Sequence, residues 1–400
     1  PFSRRLRHTL GMLFRHPLFA YGFRPFFFFC GLYALLVVPA WLLIRASDML
    51  PLDGLPPQLW HAHEMLFGFT AAAITGFLLS GVPSWTRNRG FGGLPVFSLS
   101  LVWLAGRAAF ALAPFCSLPV LAAMELAFLP ALIALIAPPI IRERNRNIAM
   151  LAVLAALWIA DAAFLFAIAR IDAELASRAL LTAMNIILLL LTIVGGRILP
   201  AFTSNALRRA NASFSLHRYA WLETLLPIAM IAVIIADIWP PVPGLHGGLA
   251  ILVAILHGLR LSGWRSLRTR GDPMLWVLHL AYAWLPIGFA LKGLVLLDNA
   301  AWAQHWQHAF GIGAIATMIL AVSTRTALGH TGRPLVVSRP IVVAYLLIAL
   351  AAVLRVAGPL FWPDNYSSVL LAAGISWMSA FLIFIAVYAP ILGRPRVDGK

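Results

Sequence analysis

The chain has 400 residues, of which 62% are hydrophobic and 11% charged, with a formal net charge of +16 and two cysteines. Soluble domains carry about 25% charged residues, so a water-soluble globular fold is excluded, and with it any count of domains from length. Cys30 and Cys116 lie in separate apolar runs, which excludes a disulfide framework and a Cys-ligated zinc or iron–sulfur site.

The chain opens with a basic segment, 1–17, containing Ser3-Arg4-Arg5-Leu6-Arg7 and no cleavable signal pattern. Apolar runs follow, and a spanning helix needs about 20 such residues. The pattern predicts twelve: 19–44, 59–83, 95–112, 115–141, 147–168, 176–202, 216–238, 246–264, 273–298, 302–328, 339–361 and 366–390. Turn chemistry separates them, as at Pro56-Pro57, Asn88-Arg89-Gly90, Trp239-Pro240-Pro241, Gly271-Asp272-Pro273 and Trp362-Pro363-Asp364. A short tail, 391–400, closes what reads as a single transmembrane domain over 1–400. The expected fold is an all-α, polytopic transmembrane helical bundle of about twelve spans. No internal repeat stands out.

Basic residues assign the sides. With the N-terminus inside, 22 of the 30 Lys and Arg fall in inner segments, and the outer loops hold Arg45 and Arg170. That bias is the positive-inside rule and places both termini in the cytoplasm. It accounts for the +16 without nucleic acid and makes anionic membrane lipids the expected partners.

Ionisable groups inside a membrane are costly and mark functional sites by default. Sorted by depth at about 1.5 Å per residue, they form two groups. The outer one holds His61, His63 and Glu64 at the start of the second span, His305 and His308 at the start of the tenth, and His246. Arg107 and Glu125 lie where they can pair; Asp161, Lys292 and Arg355 are at similar depth. Glu64 heads a row of small residues at four-residue spacing, Gly68, Ala72, Gly76 and Ser80, so it points into the bundle. His61 and His63 are two apart, and an unbroken helix turns them to different faces. Imidazole and carboxylate ligands at this depth suit copper, iron or zinc. The inner group pairs His257 with His279 on adjacent antiparallel spans, a geometry suited to haem. Around them lie Arg24, Arg197, Arg260, Arg325 and His330, arginines able to hold propionates or an anionic substrate.

Plainer readings compete. His61 and His246 can be interfacial, Glu64 can cap its helix, His257 and His279 can hydrogen-bond neighbouring helices, and inner arginines can be topology signals. From spacing alone, a metal or haem protein and a proton-coupled transporter using the same His and Glu groups as a relay stand side by side.

Five stretches break the balance: Gly22-Phe23-Arg24-Pro25-Phe26-Phe27; Trp60-His61-Ala62-His63-Glu64-Met65; Gly195-Gly196-Arg197-Ile198-Leu199-Pro200-Ala201-Phe202-Thr203-Ser204-Asn205; Leu278-His279-Leu280-Ala281-Tyr282-Ala283-Trp284; and His308 through Gly311 and Gly313 to Thr324-Arg325 and Leu328-Gly329-His330-Thr331-Gly332-Arg333-Pro334. In this order, among twelve spans, the chain resembles the NnrS family of bacterial inner-membrane proteins linked to nitric oxide. The resemblance implies a haem- and copper-containing protein that protects against nitric oxide or related nitrosative stress. His61, His63, Glu64, His279, His308 and His330 lie inside matching stretches; His257, His305 and His246 rest on spacing alone.

The combined expectation is nitric oxide metabolism or detoxification, in the manner of a nitric oxide reductase-type metalloenzyme. His257 and His279 are expected to hold haem b, with Arg24, Arg197 and His330 around it. His61, His63, His305 and His308 are expected to hold copper, with Glu64 as proton carrier. No Cys-x-x-Cys-His motif is present, so the haem is expected to be non-covalent. Electrons are expected from quinol or a redox protein. The alternatives are a non-catalytic nitric oxide sensor or metal-binding protein, and the transporter. Single cysteines at Pro56 and Arg89, with the native cysteines replaced by serine, should label on opposite sides: Pro56 with impermeant maleimide from outside, Arg89 only after the membrane is opened. The reverse pattern overturns the orientation.

Overall fold

In hydrocarbon an apolar run satisfies its backbone N–H and C=O groups within itself only as a helix, and no strand occurs among the described residues. The computed structural model describes residues 14–47, 51, 52, 54–209 and 216–398. Arg4, Arg5, Arg7 and Lys400, which contribute to the side assignment, lie outside the described residues. Among the described residues, twelve helices are long and apolar enough to cross a membrane. They are α1 (Phe23–Ala46), α2 (Pro57–Thr86), α3 (Leu94–Ala111), α4 (Leu118–Arg142), α5 (Arg146–Arg170) and α6 (Ala173–Arg209). The others are α7 (Ala220–Ile238), α8 (Pro243–Ser262), α9 (Pro273–Asp298), α10 (Ala301–His330), α11 (Arg339–Phe361) and α12 (Pro363–Leu392).

Number and order are those predicted. The ends differ where polar residues stay helical. α6 runs to Arg209 rather than 202, because the Thr203 hydroxyl folds back onto the Leu199 carbonyl at 2.8 Å instead of breaking the ladder. α1 starts later than predicted because Pro17–Phe19 forms its own 3-10 turn, capped by the His16 side chain.

Two helices change pitch. α2 is α-helical over Pro57–His63, π-helical over Glu64–Thr70 and α-helical again from Ala71. α10 is π-helical over Ala309–Ala316, directly after His308. The Thr70 hydroxyl donates to the Met65 carbonyl at 2.8 Å and the Thr317 hydroxyl to the Ile312 carbonyl at 3.1 Å. Each reaches five residues back, the π interval. Both helices therefore place a histidine just before a π segment, and both carry the pattern Phe-Gly-x-x-Ala-x-Ala, over 67–73 and 310–316. Such segments concentrate at functional sites.

Two compact units are present. The first comprises Pro1–Ala183, Ser323–Leu335 and Phe384–Lys400. In it α1 lies against α2 through small residues: a Cβ on Gly76 would stand 2.7 Å from the Phe27 ring. Phe26 and Phe27 are 0% and 1% exposed: Phe27 fills the space that Gly76 leaves, and the Phe26 ring lies 6.0 Å from that of Phe128. Arg24 is buried and donates to the Leu392 carbonyl at 2.9 Å and to that of Arg394, serving the otherwise unpaired end of α12. The second unit comprises Met184–Val322 and Val336–Ile383. There Gly247 and Gly293 bring α8 and α9 together, each Cβ position lying 3.2–3.3 Å from the other's carbonyl oxygen. Its buried cations each meet an acid: Lys292 pairs with Asp237, which also accepts from Asn185 at 2.8 Å, and Arg260 with the half-buried Glu223, which Arg218 also approaches at 3.7 Å. Large apolar side chains such as Leu36, Leu43, Ile159, Phe166, Ile255 and Leu346 face outward, as a surface bathed in hydrocarbon requires.

Two glycine substitutions should move stability in opposite directions. Gly76→Ala drives a methyl into the Phe27 ring and should cost about 1–3 kcal/mol. Gly258→Ala meets open space and should gain up to about 1 kcal/mol of helix propensity. Thermal midpoints of the detergent-solubilised variants check both.

Candidate metal centre

The switch to π pitch at Glu64 sets what the start of α2 can do. It carries two adjacent side chains, His63 and Glu64, into the interior of the first unit, where both are 0% exposed. Glu64 Oε1 lies 2.9 Å from His63 Nδ1 and accepts from Arg107 Nη1 at 2.5 Å. Its Oε2 accepts from the Tyr33 hydroxyl of α1. The other arm of Arg107 donates to both carboxylate oxygens of Glu125 on α4. On the far side of the imidazole, His63 Nε2 lies 3.1 Å from Asp161 Oδ1 on α5 and 3.9 Å from Glu125 Oε1. Phe110 and Phe164 sandwich the ring, with centroids at 3.9 and 4.8 Å and interplanar angles of 18° and 19°.

Glycine makes the room. A Cβ on Gly68 would stand 2.5 Å from the Tyr33 ring and 2.9 Å from Arg107 Nη1. One on Gly106 would stand 2.6 Å from Glu125 Oε2. The π segment also leaves the Gly68 carbonyl facing Trp103, whose indole N–H donates to it at 3.1 Å. α4 is interrupted at Ala127, two residues after Glu125.

The charges do not balance. Glu64, Glu125 and Asp161 bring three carboxylates against the single guanidinium of Arg107, all buried. His63 sharpens the imbalance. With Nδ1–H donated to Glu64, Nε2 presents a lone pair to the oxygens of Asp161 and Glu125, acceptor against acceptor. That is repulsive unless a cation or a proton lies between them. The ligand atoms that His63, Glu125 and Asp161 offer all lie within 4.8 Å of one another. One imidazole and two carboxylates suit a divalent first-row ion. Glu64 then completes a carboxylate–histidine–metal arrangement, in which the carboxylate outside the ligand set fixes the tautomer and the ring plane.

The other expected residues are distributed as follows. His61, half-buried, stacks on Trp41 with centroids 4.9 Å apart and lies outside the group. His305 and His308 belong to the second unit, their rings 6.3 Å apart, with His305 Nδ1 3.2 Å from the Arg355 guanidinium and its ring 6.0 Å from that of Tyr366. His257 Nδ1 lies 2.9 Å from the Tyr282 hydroxyl. His279 has both nitrogens engaged, Nε2 with Thr203 and Nδ1 with Ser266, each at 2.9 Å. Arg197 faces out from α6, while its neighbours Gly195 and Gly196 pack on Tyr282 and Arg260. His330, exposed, sits 5.4 Å from the Phe23 ring in the first unit, near the carbonyls that Arg24 serves. Glu125, Asp161, Tyr33 and Tyr282 join these networks without having been singled out as site residues. The signal for the two acids was present, each alone in a long apolar run; what joins them to His63 is tertiary.

A family model described as NnrS protein matches residues 17–396. No curated protein matches the chain.

Arg107→Met leaves Glu64 and Glu125 buried without their cation and should cost about 3–5 kcal/mol. Arg107→Met combined with Glu125→Leu removes one charge of each sign and should be distinctly milder. The folded fraction after detergent extraction, read with thermal midpoints, measures the difference.

Proposed function

The chain belongs to the NnrS family, and from that premise we propose that it is a metal-binding protein of nitric oxide metabolism in the bacterial inner membrane, with both termini cytoplasmic. One observation carries the reading: a buried imidazole nitrogen held against two carboxylates that one guanidinium cannot neutralise. Copper in its divalent state fits this nitrogen–oxygen set, being the tightest binder of its row. Haem b is the second proposed cofactor, for which the second unit offers the buried, unpartnered Nε2 of His257.

A bound redox-active ion supplies one-electron chemistry to a diatomic radical. The chain's own residues do the rest. Glu64 holds His63 in the tautomer that turns Nε2 inward, and Arg107 pins Glu64 and Glu125 together. Phe110 and Phe164 keep water off the faces of the ring. Tyr33 donates to the Glu64 oxygen opposite the one that meets His63, so both oxygens of that carboxylate are held by donors and its orientation is fixed. Nitric oxide is small and dissolves in lipid, so a dry site of this kind needs no wide channel. Electrons come from quinol or a redox protein, and anionic lipids surround the basic inner loops.

The same hydrogen-bonded chain favours a second reading. Two protons on the carboxylates would neutralise the surplus as well as an ion does, making the group a proton relay of a transporter.

Elemental analysis and a nitric oxide electrode with a quinol analogue test the assignment on one detergent-purified sample. One divalent ion per chain is expected at this centre, lost in His63→Ala and Asp161→Asn together with nitric oxide consumption. Binding of nitric oxide without steady consumption makes the protein a sensor or carrier. A metal-free wild type with protonated carboxylic acids in its infrared spectrum makes the centre a relay.

A further inference from the structure

His257, on α8, reaches the interior of the second unit with none of its surface exposed. Its ring lies parallel to that of Phe289, at 5.8 Å and 7°. Nδ1 meets the Tyr282 hydroxyl, but Nε2 has no hydrogen-bond partner among the described residues. A buried ring nitrogen left unpaired is costly, and such atoms in a native fold call for an explanation.

The contacts of Tyr282 accommodate a ring protonated at Nδ1. Arg260 Nη1 donates to the Tyr282 oxygen at 3.2 Å and to the Thr192 carbonyl at 2.8 Å, while Glu223 holds the rest of the guanidinium. A tyrosine oxygen has two lone pairs, enough to accept Arg260 and the His257 Nδ1–H together. Nε2 is then a bare lone pair. Metal-bound histidines are held in this way, the second ring N–H donated to an oxygen. Gly195-Gly196 in α6 is part of the device: a Cβ on Gly196 would overlap the Arg260 guanidinium, and one on Gly195 would touch the Tyr282 ring at 3.5 Å.

One nitrogen does not make a site for a bare ion, which takes three or four protein ligands. Among the described residues, the group of three or more His, Cys, Asp or Glu able to hold one is His63, Glu125 and Asp161, in the first unit. A single nitrogen does suffice for an iron that brings four nitrogens of its own. His279 adds none, because Thr203 and Ser266 occupy both sides of its ring.

We infer that His257, through Nε2, is the sole protein ligand to the iron of a porphyrin in the second unit, with Tyr282 and Arg260 as positioning residues and His279 as a structural tie. The assignment rests on the haem part of the proposed function and replaces the bis-histidine pair expected from depth. A lone axial histidine leaves the sixth position of the iron open to a diatomic gas.

Reconstitution of the full-length detergent-purified chain with haemin, read by optical and electron paramagnetic resonance spectra, tests it. The wild type should show five-coordinate, high-spin iron. His257→Gly should lose at least tenfold in haemin affinity, and added imidazole should restore it. His279→Gln should keep both affinity and spin state. Tyr282→Phe should keep the haem and shift the iron–histidine stretching frequency. A low-spin bis-histidine spectrum, or haem lost in His279→Gln and retained unaltered in His257→Gly, overturns the assignment. If His257→Gly does not fold, His257→Met serves: an unchanged spectrum overturns the assignment, and a spectrum with altered axial ligation supports it. A wild type that takes up no haemin while keeping the ion at His63 defeats the haem reading itself, a result distinct from the failure of His257 within it.

Discussion

The Arg107 guanidinium is the contact on which the first unit depends. It bridges Glu64 on α2 and Glu125 on α4, with each arm on a different carboxylate and all three groups buried. Removing such charges from water costs several kcal/mol per ion, recovered only when geometry and hydrogen bonding are close to complete. The surrounding sequence serves that requirement. Gly68 and Gly106 leave no side chain where the guanidinium and carboxylate must pass, and Tyr33 fills the remaining oxygen of Glu64. With those two acids committed to Arg107, the Nε2 side of His63 meets carboxylate oxygens rather than donors. The anionic surplus thus follows from the way the pair is satisfied.

The two π segments show how a helix delivers such groups. In a regular α-helix His63 and Glu64 diverge by about 100°. The wider turn that begins at Glu64 lets both serve one interior. Threonine hydroxyls at Thr70 and Thr317 take up a carbonyl at the π interval. The stretches after His63 and His308 both read Phe-Gly-x-x-Ala-x-Ala, over 67–73 and 310–316, so the shared pitch accompanies a shared run of small residues.

The two units handle buried charge differently. The second pairs Lys292 with Asp237 and Arg260 with Glu223, each cation with one acid. Among the described residues of that unit no group of three or more metal-ligating side chains forms, and one of its buried polar atoms without a hydrogen-bond partner is an imidazole nitrogen, His257 Nε2. The first unit attracts a cation; the second offers a lone pair. These are different chemistries, and the two proposed cofactors answer to them separately.

Composition and hydropathy determined the helical class, the twelve spans and their order, because an apolar run in lipid has one way to satisfy its backbone. Arg107 and Glu125 were legible as partners, since isolated opposite charges at one depth have few alternatives. His63 was legible as buried and polar. Its neighbours were not. Depth grouped it with His61, His305 and His308, whereas the fold joins it to Glu125 and Asp161, acids brought in by α4 and α5. Depth likewise paired His257 with His279, but Thr203 and Ser266 engage one of these rings and leave the other with a free nitrogen. Spacing along a chain measures position on an axis. Which side chains share a centre depends on helix rotation, and helix rotation is set by glycine contacts and π turns that exist only once the helices pack.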